Sequence, residues 1–137
     1  MKKIDIINAV NALAGVAINK IRNEKVKFTL VFDYRLLRRE ARDFENDQQE
    51  VIKKFQADFE EELAVVKNLR SEGKPVTGHD LFLKAEKDTD KVLAELAQEP
   101  CEIAGLKTVS LEEFLKAVGD TDLSMEAISS LDGIVIE

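Results

Sequence analysis

The chain has 137 residues, 45% of them hydrophobic, 34% charged and 6% aromatic, with no Trp, one His, one Cys and a net charge of −7. One cysteine excludes an intramolecular disulfide, and one His with one Cys excludes the usual four-ligand zinc site. No run approaches the ~18 apolar residues of a membrane span, and Asp5, Asn8 and Asn11 interrupt the N-terminal segment too early for a signal peptide.

High charge with few aromatics suits solvated helices, and the length suits a single domain. The charge is polarised. Residues 1–42 hold ten Lys/Arg against four Asp/Glu, a balance of +6, while residues 86–137 hold four Lys against thirteen Asp/Glu, a balance of −9. Such ends attract each other, within one molecule or between copies. The acidic total disfavours general nucleic-acid binding.

Taken in chain order, residues 5–14 read as a short helix with Asp5 as its N-cap and Ile6, Val10, Leu13 and Ala14 on one face. Residues 15–26 suit a turn or a loose helix. A long helix is predicted over 27–72. Its seam is Leu30, Tyr34, Leu37, Ala41, Phe44, Gln48, Val51 and Phe55, spaced alternately by four and three. A period of 3.5 keeps one stripe facing a partner helix throughout. The seam continues through Phe59, Leu63 and Val66 with a spacing that locally unwinds a supercoil. Such a helix would span about 65–70 Å, so it must project, bend or pack against another molecule.

Ser71-Glu72-Gly73-Lys74-Pro75 is a stop signal. A second helix over 80–98, with Phe82, Ala85, Thr89, Val92 and Leu96 inward, is expected to return antiparallel along the first. Residues 101–109 suggest a short strand or tiny hairpin. Ser110 and Glu113 form a capping box for a helix to about Val118, and Ser124 caps a last one from Met125 to Leu131. The apolar end, Gly133-Ile134-Val135-Ile136, is expected to join the core or a small sheet.

Candidate chemistry is sparse. His79 beside Asp80 could serve acid–base catalysis only with a substrate pocket nearby; a turn histidine is the plainer reading. Cys101 lies between acids that disfavour a thiolate. Asp58 with Glu60, Glu61 and Glu62 point in different directions on a helix and cannot close around one ion. Asp120-Thr121-Asp122 lacks the glycine and closing glutamate of a calcium loop. Arg35, Arg38, Arg39 and Arg42 form a ladder that could grip phosphates or an acidic protein. Asp43 and Glu45 are placed to pair with Arg39 and Arg42, and no aromatic platform is interleaved with the ladder. No phosphate loop, nucleophile elbow or zinc-protease motif occurs.

The order of elements resembles a family of small phage and prophage proteins of unknown function. The likeness rests on Ile4–Ala14, then Tyr34-Arg35-Leu36-Leu37-Arg38-Arg39-Glu40, Val51-Ile52-Lys53-Lys54-Phe55, Leu106 to Phe114, and Leu123-Ser124 to Ile136. It implies an accessory or assembly protein in a bacterial cytoplasm, and no catalytic residue comes with it.

The sequence therefore predicts a mainly α chain: one long helix, an antiparallel second helix, and a small C-terminal cap with room for a short β ribbon. It predicts a non-enzymatic interaction or assembly protein without cofactor or metal, its protein partner most naturally a second copy. Contact would run through Leu30, Tyr34, Leu37, Phe44, Val51 and Phe55, with Arg35, Arg38, Arg39 and Arg42 toward an anionic or acidic partner. The alternative is a nucleic-acid-associated or regulatory protein using the arginine ladder.

Overall fold

The computed structural model describes residues 1–16, 18–119 and 124–136. Its elements are α1 (Lys3–Ala14), a 3-10 turn (Ile18–Lys20), α2 (Glu24–Asp58), α3 (Glu60–Ser71), α4 (Asp80–Gln98), β1 (Val109–Ser110), α5 (Leu111–Val118), α6 (Met125–Ser130) and β2 (Val135–Ile136). The chain is mainly helical, as its periodicity predicts. It forms two compact units, Met1–Phe44 with Gln98–Glu137, and Glu45–Ala97. No helix among the described residues is long and apolar enough to cross a membrane.

In the first unit the core gathers Ile6, Ala9 and Leu13 of α1, Leu30, Leu37 and Ala41 of α2, Phe114 of α5, and Leu131, Ile134 and Val135 near the C-terminus. Each buried large aliphatic contributes about 1.5–3 kcal/mol. Local capping sets the helix starts. Asp5 acts from inside α1, where its carboxylate accepts the Lys2 backbone N–H at 3.0 Å. Asn23 Oδ1 accepts the Val26 N–H at 3.2 Å, which starts α2 earlier than the apolar pattern implied. Ser110 Oγ accepts from the Glu113 N–H at 3.2 Å and Ser124 Oγ from the Ala127 N–H at 3.1 Å.

The β ribbon is not a hairpin within 101–109. β1 instead pairs in parallel with β2, Val109 opposite Val135 and Ser110 opposite Ile136. The start of the chain is tied down as well: Lys3 N–H donates to the Glu99 carbonyl at 3.0 Å, and Cys101 N–H donates to the Met1 carbonyl at 2.7 Å.

In the second unit the expected single helix over 27–72 is broken at Phe59, whose backbone (φ −129°, ψ 34°) leaves the helical region. Phe59 is thereby free to meet the Phe82 ring edge-on at 5.7 Å, while Phe55 meets Phe82 at 5.3 Å. Three rings in contact offset the interrupted helix bonds, each aromatic pair adding about 0.5–1.5 kcal/mol beyond its burial. Glu62 at the start of α3 then reaches His79, and Arg70 at its end reaches Glu86 within α4. These two contacts advance in the same chain direction along both segments. The predicted stop holds, with α3 ending at Ser71 and Gly73 at φ +68°, a conformation that favours glycine.

Candidate interaction surfaces

The α2 seam has two environments. Leu30, Leu37 and Phe44 are buried and Tyr34 is half-buried, in the unit that holds α1 and the C-terminal elements. There the chain's own α1, α5 and β2 supply the apolar neighbours that the seam requires. Val51 and Phe55 are only half-buried. With Phe59 and with Ala85, Thr89 and Val92 of α4, they line an open groove rimmed by Lys54, Asp58 and Asp88. Val66 and Phe82 are the buried side chains among the described residues of this unit, a thin core for its length.

Arg35, Arg38, Arg39 and Arg42 are all exposed. The expected pairs with Asp43 and Glu45 do not form: none of the four arginines is in an ion pair among the described residues. No aromatic residue stands between these arginines, but two precede them on the same helix. Phe28 and Phe32 stack on each other (centroids 6.1 Å, planes 20° apart) just ahead of Arg35, and Lys107 Nζ lies 4.6 and 4.7 Å from their ring centres. Phe28 remains 59% exposed. The signal was present as a second four–three spacing, Phe28, Phe32, Arg35, Arg39 and Arg42, each member two residues before one of the seam. Two residues turn a helix by about 200°, so the second stripe faces away from the core.

His79 contacts the Glu62 carboxylate through Nδ1 at 3.0 Å. Cys101 is half-buried, its Sγ 3.7 Å from Glu40 Oε2; burial foremost, then the Glu40 charge and hydrogen bond, push its thiol above the ordinary value. A thiol so placed is a poor nucleophile. Glu60 and Glu61 are exposed in the first turn of α3, where they favour the helix N-terminus. No group of three or more acidic, His or Cys residues could hold a metal ion among the described residues. The Asp120-Thr121-Asp122 segment lies outside the described residues.

One polar residue escaped the sequence reading. Asp33 of α2 is fully buried; its Oδ1 accepts the Lys107 backbone N–H at 2.7 Å, and its Oδ2 has no hydrogen-bond partner among the described residues. Burial pushes its carboxyl up to about 6, against the smaller opposing pull of the Lys107 N–H and the Lys107 charge. This bond ties the 101–109 segment to α2 and brings Lys107 beside Phe28 and Phe32. Compared with known proteins, the chain matches no family model, no curated protein and no solved structure.

Proposed function

We propose that this chain is a non-enzymatic interaction protein working by helix–helix contact, its contact surface the groove of the 45–97 unit and its partner a second copy of itself. One observation carries the reading: Val51, Phe55, Phe59, Ala85 and Val92 line an open groove in a unit that buries little else. Val92 is 46% exposed. Helices with a thin core of this kind gain stability when a further helix covers the seam.

The rim favours a second copy. Its α2 side carries Lys54 and its α4 side carries Asp88. A two-fold pair that lays α2 of one copy over α4 of the other sets Lys54 against Asp88 twice, which is the self-complementarity an isologous contact requires. Asp58, one turn beyond Lys54, adds a second acid within reach. A non-enzymatic role is supported by the raised Cys101 thiol and by His79, which is engaged with Glu62. The resemblance to small phage and prophage proteins supports an assembly role in the cytoplasm of a bacterial host.

Light scattering after size exclusion tests this. The expected result is a dimer at micromolar concentration, converted to monomer by Val92→Asp with its helical circular dichroism retained. Lys54→Asp and Asp88→Lys should each weaken the dimer, and the double exchange should restore it. A monomeric wild-type chain, or a double exchange no better than either single one, overturns the reading.

A further inference from the structure

The groove leaves unexplained a surface in the other unit, the outward stripe of α2. Phe28, Phe32, Arg35, Arg39 and Arg42 follow one another at four–three spacing, on the side of α2 opposite buried Leu30, Leu37, Ala41 and Phe44. Over about 21 Å this side presents two stacked rings and then three exposed guanidinium groups, with the Lys107 ammonium held over the rings. The two acids within the stretch face elsewhere: Asp33 is fully buried, and Glu40 is half-buried beside Cys101. The three arginines have no ion-pair partner among the described residues.

We infer that this stripe is a docking site for single-stranded nucleic acid, the arginines and Lys107 meeting phosphates and the exposed Phe28 ring stacking on a base. Phosphate alone would explain the arginines but not a 59%-exposed ring at the head of the row. Cations that track a backbone beside a ring that takes a base are the combination by which single strands are held without sequence preference. A duplex hides its base faces and leaves Phe28 without a role. An acidic protein would satisfy the arginines, yet it offers the ring no flat partner. The net charge of −7 does not forbid the contact, because at physiological salt the field of remote acids is screened beyond about 8 Å. The stripe therefore acts through its own local charge, and binding should be strongly salt-dependent. This inference is independent of the dimer.

The test is fluorescence anisotropy of the full chain with a labelled 15-nucleotide oligo-dT, a duplex of equal length and a labelled poly-glutamate peptide, at 50 and 200 mM NaCl. The expected result is binding of the single strand in preference to both others, weaker at the higher salt. Phe28→Ala, a change at an exposed position, should weaken it about tenfold or more. The Arg35/Arg39/Arg42→Ala triple variant should lower the magnitude of the log–log salt slope by about 2. Circular dichroism should show both variants folded. No binding of oligo-dT at 50 mM NaCl, equal binding of duplex, preference for the acidic peptide, or indifference to Phe28→Ala overturns the inference.

Discussion

At the scale of single residues, Asp33 has the clearest consequence. Its folded carboxyl titrates at about 6 instead of 3.8, raised by burial. The folded state therefore holds the proton more tightly than the unfolded chain. The stability linked to this group is fully present below about pH 4 and is lost as pH rises through about 6. A shift of this size corresponds to something on the order of 3 kcal/mol. Asp33→Asn keeps an acceptor for the Lys107 N–H while removing the charge. Its urea midpoint should exceed that of the wild type at pH 7.5, with the difference vanishing near pH 4. A difference independent of pH would show that the Asp33 carboxyl reaches water and is not raised in the folded chain. The reason for Asp33 to stay polar is positional: no other side chain on that turn is shown taking the Lys107 N–H, and an apolar substitute would leave that donor unpaired at a cost of about 1–3 kcal/mol.

At the scale of elements, the break at Phe59 and the rings around Phe82 decide how the second unit is built. Phe82 is fully buried between Phe55 and Phe59. Phe82→Ala should cost about 3–5 kcal/mol. If the interrupted helix depends on the ring cluster, the loss should register as faster amide exchange in α3 and α4. The Ser110 cap is a smaller local device; Ser110→Ala should cost about 1 kcal/mol in thermal or urea unfolding without altering the rest of the fold. Much of this level is legible in the sequence. The Ser110 and Ser124 caps, the stop after Ser71 and the buried members of the Leu30–Phe44 seam all follow from contacts within a few residues. Phe59 does not, because its seam position fits a continuous helix equally well. Only the Phe82 ring, 23 positions later, makes the break worthwhile.

At the scale of the whole molecule, the two units differ in how much they bury. The first has a broad core drawn from both ends of the chain, while the described residues of the second bury Val66 and Phe82. Amides of α3 and α4 should therefore exchange faster than those of α1 and the first half of α2. If the groove joins two copies, dilution below the dimer dissociation constant should accelerate exchange in α3 and α4 and leave α1 and α5 unchanged. Uniform protection at all concentrations would count against both statements. The charge polarity visible in the sequence takes a narrower form here. The basic front is concentrated on one side of α2, where Asp33 and Glu40 are turned away and the arginines stand unpaired.

By itself the sequence determined what depends on neighbours along the chain: which segments are helices, where several start and stop, and which face of α2 is apolar. Those features arise from a period near 3.6 residues and from side chains that bond their own backbone. Tertiary structure decided what depends on residues far apart in sequence. Val109 pairs with Val135, Asp33 holds Lys107, Lys107 covers Phe28 and Phe32, and Phe82 meets Phe59. Each of these joins segments whose own local preferences allow several outcomes. The choice among them is made only when the burial of apolar surface and the pairing of polar groups are satisfied together.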